Sequence, residues 1–450
     1  MRSRSAESRW RARAGSRAGL AGGGEEGESV GSGPMRPPYT TPTFPREQKA
    51  RKLCTVLGFA WLRWGVTALC CVPAAAFVAE VLIGTPPPRR RPSARAAPVP
   101  RTVILVPAHN EQAVIQGTLQ NLSAELSDRV SLLVVADNCE DDTPQIAERA
   151  GARVVRRVDP ERRGKGYAIE FGLEELAKDP PEIVVIVDAD CRVEPGSIGI
   201  LADRAQRTGR PIQAEYLILP PRLEPRTAVN ALAFLIKNRV RPLGLLRLGL
   251  PCQLTGSGMA FPWAVIRKAP PMGAYLVEDM LMGLELARLG SPPLFCPEAR
   301  IRSELPVRDQ AQQKQRRRWE HGHLATLIQE GPRLVLEGLK RGDLALLTLG
   351  IDLLVPPLSL FVVGLCAVVG LNALLSLGFG VGSGPLIVSV GALVAVGASV
   401  LLAWLVQGRE LVPLRYALLV PGYVLWKLPL YVAFAARKKQ ATWEQTERSP

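Results

Sequence analysis

The pattern of apolar and polar positions divides the chain into a polar start, a bilayer-length run, a long alternating middle and an apolar end. Residues 1–52 mix Arg, Gly, Ser and Glu with no apolar period, which predicts a disordered basic tail. Two readings stay open for residues 1–34: part of that tail, or an artefact of start-codon choice with Met35 as the first residue. Trp64 to Gly84 is an apolar run of bilayer length whose single charge, Glu80, lies near one end, and a transmembrane segment is expected over 53–85. A stiff Pro/Arg linker, 86–100, follows; basic loops stay cytoplasmic, so the next domain is expected to face the cytosol.

Residues 101–305 alternate short apolar runs with helical stretches. Val103–Val106, Leu132–Val135, Arg153–Val155 and Ile183–Val187 predict strands. Glu111–Ser127 and Tyr167–Ala177 predict helices between them. Strand–helix–strand alternation means an α/β domain with a mostly parallel sheet. Ligands of such sheets sit beyond the carboxyl ends of the strands. Residues 306–343 read as amphipathic interface helices, basic over 308–323. Within 344–435 lie three apolar stretches, 344–375, 386–406 and 411–435. The last carries Arg415, Lys427 and three prolines, and fits the interface as well as a crossing. Three crossings there would put Arg437-Lys438-Lys439 outside, against the positive-inside rule, so one of the four segments is not expected to be a simple span. Residues 436–450 form a tail.

Composition agrees with one soluble domain plus a few spans: 47% hydrophobic and 22% charged residues in 450. The net charge is +15, and +11 of it falls in residues 1–101, beside the first apolar run. That placement suits an anionic membrane surface. No nucleic-acid-binding motif follows it, so nucleic acid is not an expected partner. The eight cysteines form no CxxC and no Cys/His metal spacing, and are read as reduced thiols of a cytosol-facing protein.

The candidate chemistry follows the strand ends. The first run ends in Pro107-Ala108-His109-Asn110-Glu111, the second in Asp137-Asn138-Cys139, the fourth in Asp188-Ala189-Asp190. Clustered acids repel unless a cation binds, and two carboxylates beyond a buried strand suit a hard divalent ion, Mg²⁺ or Mn²⁺. A solvated turn is the alternative. Asp137 can instead make an Asx turn or cap the helix after Thr143. Arg162-Arg163-Gly164-Lys165-Gly166 is either a phosphate-contacting loop or an ordinary one. Glu278-Asp279 precedes an apolar helix and is either its cap or a general base. Gln315-Arg316-Arg317-Arg318-Trp319 lies on the basic segment, and either rests on lipid or contacts a diphosphate and a sugar ring. His321 and His323 do not share a helix face, which argues against a metal site.

Taken in order, Pro-Ala-His-Asn-Glu, Asp-Asn-Cys, Gly-Lys-Gly, Asp-Ala-Asp, Val-Glu-Asp and Gln-Arg-Arg-Arg-Trp resemble the family-2 glycosyltransferases. Within these the order resembles the membrane-integrated branch that includes cellulose, hyaluronan and poly-N-acetylglucosamine synthases. The resemblance spans about residues 100–325. It implies a GT-A, Rossmann-like domain between transmembrane helices and an inverting transfer from a nucleotide sugar, UDP-linked by family habit, to a growing polysaccharide. It also implies donor contacts from Ala108, Asn110, Glu111, Asp137, Lys165, Asp188, Gln315, Arg318 and Trp319. Asp190 with Asp188 would hold the metal, and Asp279, with Glu278 beside it, would be the base. Gly256, Ser257 and Trp319 would meet the acceptor, a glycan or a lipid-linked one. Trp443, Thr446 and Arg448 resemble the cytosolic tail of some members. Val277 stands where some relatives have Thr, and the membrane part is short beside the large synthases, so an export partner is expected. Single-sugar transfer to a lipid carrier or glycolipid, and a non-catalytic membrane subunit, are the competing readings.

Overall fold

The four apolar runs become neighbouring strands of one sheet in the computed structural model. It describes residues 45–88, 98–219, 224–273, 275, 277–304, 309–378, 382–417, 422 and 431, with side chains outside 45–59, 219, 225–226 and 304–317. The chain divides into two units after Cys54, and the sheet and the site lie in the second. The strands are β1 (Thr102–Ala108), β2 (Val130–Asp137), β3 (Arg153–Arg157), β4 (Ile183–Ile186), β5 (Cys191–Val193), β6 (Ile212–Leu219), β7 (Met259–Pro262) and β8 (Leu294–Glu304). Their order is β3-β2-β1-β4-β7-β6-β8-β5. β3, β2, β1 and β4 run parallel, as does β6 beside β8. β7 is antiparallel to both its neighbours and β5 to β8. The sheet is thus mostly parallel with a mixed far half. All seven residues of β1 are buried, as expected for a central strand covered on both faces.

The helices before β7 are α1 (Pro45–Gly84), α2 (Ile115–Ser123), α3 (Thr143–Arg149), α4 (Lys165–Leu176), α5 (Ser197–Thr208), α6 (Pro225–Leu235) and α7 (Arg241–Arg247). After it come α8 (Trp263–Ile266), α9 (Glu278–Arg288), α10 (Asp309–Arg341), α11 (Leu344–Leu353), α12 (Leu358–Ala373) and α13 (Gly384–Ala403). Strand alternation sends Ile104 and Val106 to the face of α2 and α5, and Val103 and Leu105 to that of α4 and α9. The first covering helix starts at Ile115, later than its polar pattern predicts. Asn110 is left-handed at φ 51°, and the Glu111 N–H donates to Thr143 Oγ1 at 2.8 Å, so 109–114 form a loop.

Three described helices are long and apolar enough to cross a membrane: Ala60–Gly84, Leu358–Gly378 and Gly384–Gly408. The expected stretch 344–375 breaks at Pro356-Pro357. Its first part, α11, packs against α10, with Leu346 and Leu349 buried beside Leu334. Most of 411–435 and the whole tail with Trp443, Thr446 and Arg448 lie outside the described residues. The apolar helices meet α6 and the turn that follows it through Phe77, Val81, Leu235, Val240, Phe361, Val396 and Trp404. Contact between α1 and α7 is backbone to backbone: a Cβ on Gly244 would lie 2.1 Å from the Glu80 carbonyl oxygen. Just beyond it, Arg241 sits between Glu80 and Asp352.

Candidate active site

The sheet brings the three polar strand ends together. β1 ends at Ala108, β2 at Asp137, and β4 leads into Asp188-Ala189-Asp190, all at the carboxyl edge. They open on a cavity of about 240 Å³. Ala108, Glu111, Asp137, Lys165, Asp188, Asp190, Gly256, Glu278, Asp279, Arg318 and Trp319 line it. Two expected residues stand behind the wall instead. Asn110 uses its side-chain oxygen to accept the Glu140 N–H at 2.8 Å, tying the β1 and β2 loops together. Ser257 is fully buried; its Oγ accepts the Asp188 N–H at 3.1 Å and faces Cys191 Sγ at 3.2 Å, so it orients the acidic loop. The side chain of Gln315 lies outside the described residues.

Asp137 does not cap α3, which starts six residues later. Its Oδ1 pairs with Arg157 at 2.6 Å, and both side chains are nearly buried. Arg157 also binds Asp159 at 2.9 Å and sits over the Tyr167 ring at 5.4 Å. Reading the sequence misses this arginine. Its one signal is position: it ends the third strand, and the parallel register sets it opposite Asp137.

Lys165 stands among the acids rather than on an exposed loop. At the first turn of α4 it pairs with Asp188, lies 3.8 Å from Glu278 and donates to the Gly256 carbonyl at 2.7 Å. Burial pulls its pKa down, but Asp188, Glu278 and Asp279 outweigh that and hold it above the usual lysine range. Burial raises the carboxyl pKa of Asp188, against Lys165 and with help from Asp190. Asp279 is also raised by burial, opposed by Lys165, by the Met280 N–H and by Lys237. Gly256 allows the approach: at φ +96° it has no Cβ, which would lie 3.2 Å from Asp279 Oδ2.

Ligand atoms of Asp188, Asp190 and Cys191 lie within 4.8 Å of one another. Cys191 is buried and its thiol pKa is pushed well up by burial and the two aspartates, so it stays a neutral thiol. The donor set is then two carboxylates, with Ser303 Oγ donating to Asp190 at 3.1 Å. Such a set fits a hard divalent cation and not a soft one. Trp319 packs edge-to-face on Phe234, ring centroids 5.8 Å apart, which fixes it on the cavity wall. His321 is buried and does not line the cavity, whereas His323 does.

Glu278 carries a testable consequence. Burial lifts its pKa from 4.5 to about 7, against Lys165 and with help from Asp279. The folded state therefore holds this proton more tightly than the unfolded one. Its contribution to stability is complete below pH 4.5 and lost as pH rises toward 7. In chelator-treated detergent solution, Glu278→Gln should melt with wild type at pH 4 and above it at pH 8. Equal midpoints at both pH values would show that Glu278 ionises without cost.

Residues 100–322 match the family model described as glycosyltransferase like family 2. Among curated proteins, glycosyltransferase AglD of Haloferax volcanii is 32% identical over 128 residues, 27% of this chain and 20% of that protein. Beta-monoglucosyldiacylglycerol synthase of Synechocystis is 32% identical over 144 residues, 30% of this chain and 29% of that protein. The chain thus spans less than a third of either relative. In fold it is similar to the solved mannosyltransferase PcManGT of Pyrobaculum calidifontis, in complex with GDP-Man and Mn²⁺. That likeness has a TM-score of 0.50 at 20% identity and covers 83% of this chain and 99% of that one. With acids gathered at the carboxyl edge of a mostly parallel sheet, the chain carries a glycosyltransferase family 2-like domain of GT-A-like α/β fold.

Proposed function

We propose that the chain is an inverting, metal-dependent membrane glycosyltransferase that moves a sugar from a nucleotide-sugar donor, UDP-linked, to a growing polysaccharide. One observation carries the reading: Asp137, Lys165, Asp188, Asp190, Asp279, Arg318 and Trp319 line a single cavity. Ala108, Glu111 and Asp137 hold the nucleoside, and Arg318 faces the diphosphate. Asp190 and Asp188 would hold Mg²⁺ or Mn²⁺, which supplies positive charge to the leaving diphosphate when bound. Asp279 takes the proton of the acceptor hydroxyl. That oxygen then bonds to the anomeric carbon on the face opposite the diphosphate, the bond to the diphosphate breaks, and the configuration inverts. One base suffices for this displacement.

The basic linker 86–100, on the domain side of the first apolar helix, supports a cytosolic catalytic domain. With three crossings, the second and third return the chain to the cytosolic side, which agrees with the positive-inside rule. Membrane lipids then surround the apolar helices, and a polymer made inside needs an export partner, because three spans are few for a channel. Single-sugar transfer to a glycolipid is the second reading, favoured by the short membrane part and by the name of the Synechocystis relative. A non-catalytic subunit would not need the acidic set that is present.

The test incubates membranes holding the full chain with labelled nucleotide sugars, with and without Mg²⁺ or Mn²⁺, and separates extractable lipid from polymer. Label in polymer supports the first reading, label in lipid the second, and none from any donor sinks both. Chelation should abolish incorporation and either cation restore it; incorporation that survives chelation would remove the cation from Asp188 and Asp190.

A further inference from the structure

α6 does not run straight into α7. Between them, Ile236–Val240 widens into a π-helical turn. Such bulges interrupt helix regularity and recur where side chains must be aimed at a site. Here the turn has two faces. Ile236 and Val240 pack with Phe77, Val81 and Phe361 of the apolar helices, while Lys237 and Asn238 line the cavity that holds Asp279. His323, on α10, lines the same cavity. None of the three has a part in holding the donor.

Their hydrogen bonding is incomplete in an informative way. Asn238 is 4% exposed, and its Nδ2 donates to the Tyr216 carbonyl at 3.1 Å. That bond fixes the amide orientation and leaves Oδ1 as a pure acceptor, buried and without a hydrogen-bond partner among the described residues. His323 is 6% exposed, and its Nε2 is buried without a partner in the same way. Burial, with the charges of Lys237 and Arg241, holds the imidazole neutral. Buried polar atoms are nearly always paired, and these two, like Thr255 Oγ1, belong to residues that line one cavity, so a ligand there is placed to supply the partners.

We propose that Lys237, Asn238 and His323 form the acceptor subsite, and that it takes a hydroxyl-bearing sugar ring rather than a phosphate. This deepens the glycosyl-transfer reading and rests on it. Asn238 Oδ1 demands a donor, which a hydroxyl has and an ionised phosphate lacks. A phosphate would also face the carboxylates of Glu278 and Asp279 in the same cavity. The neutral His323 ring pairs with a hydroxyl in either direction, and Lys237 donates to a ring or hydroxyl oxygen. Trp319 offers the ring an apolar face. The bulge touches both the cavity and the apolar helices, so the ring arrives either on a soluble glycan end or on a glycolipid head group.

The full chain in detergent, with the donor found in the nucleotide-sugar panel, would be offered three acceptors: a glucose disaccharide, monoglucosyl-diacylglycerol and undecaprenyl phosphate. Wild type should transfer to one of the two sugar-bearing acceptors and not to the phosphate; which one it uses identifies the source of the ring. Asn238→Ala and His323→Ala should each raise the acceptor KM about tenfold and leave the donor KM within about twofold, at unchanged melting midpoint. Lys237→Gln, on a half-buried side chain, carries the same test where the buried variants fail to fold. Transfer to undecaprenyl phosphate, an unchanged acceptor KM, or equal rises in both KM values would each overturn the subsite while leaving glycosyl transfer standing. A wild type that uses no donor would remove both.

Discussion

Asp279→Asn is expected to slow sugar transfer by about 10³-fold or more while donor affinity stays within about threefold of wild type. The substitution keeps the size of the side chain and an oxygen for the Met280 N–H, but removes the group that accepts a proton. The carboxylate stands at the first turn of α9, between the positive charges of Lys165 and Lys237. Its burial-raised pKa makes it a better proton acceptor than an exposed aspartate, while the two lysines keep it from being protonated outright. The donor side of the cavity is built from other elements: the ends of β1, β2 and β4 and the start of α10. Separate construction is why the effects should separate. The check is kcat from labelled donor beside nucleotide affinity by calorimetry. Equal losses in both would make Asp279 a donor ligand and leave the base unassigned.

Arg241→Met should destabilise the protein by about 3–5 kcal/mol, a large part of the stability of any domain. Arg241 Nε donates to Glu80 at 2.6 Å, and its Nη2 reaches the Asp352 carboxylate and, at 3.1 Å, the Asp352 carbonyl. All three side chains are 6–8% exposed. Removing the arginine leaves two acids in the interior facing each other across its place. It also frees Asp352, which accepts from Gln253 at 2.5 Å, two residues before Thr255-Gly256 on the cavity wall. The triple change Glu80→Leu, Arg241→Met, Asp352→Leu should restore most of the loss, because no unpaired charge remains. Thermal unfolding in detergent reads both. A single variant that melts with wild type would mean the acids shed their charge freely, and a triple variant no better than the single would assign the loss to packing.

β1, β2 and β4 were legible because buried parallel strands are continuous apolar runs, β3, an exposed edge strand, only through Val154 and Val155, and all four ended within a few residues of their pattern. The far half was not: β6 and β8 mix apolar and polar positions, β7 is only four residues long, and their pairing depends on partners distant in the chain. A similar line runs through the site. Asp137, Asp188 and Asp190 stand directly after apolar runs, and Asp279 at the start of an apolar helix, so their positions followed from local pattern. Arg157 did not, since only the register of β2 on β3 sets it against Asp137. Ser257 and Asn110 were legible as residues near the site, but not as supports for its loops, because that depends on which way each side chain turns.

By itself, then, the sequence determined where strands stop and acids begin, and which runs are apolar over a bilayer's length. Those are properties of neighbours along the chain, set by burial and helix or strand period. Only the tertiary structure decided that Lys165 sits inside the acid cluster, that Arg241 joins an apolar helix to the cavity wall, and that the turn Ile236–Val240 aims Asn238 inward. These are contacts between residues tens to hundreds apart. Their energies come from charges and polar groups sharing a place from which water has been removed, and no local pattern records that place.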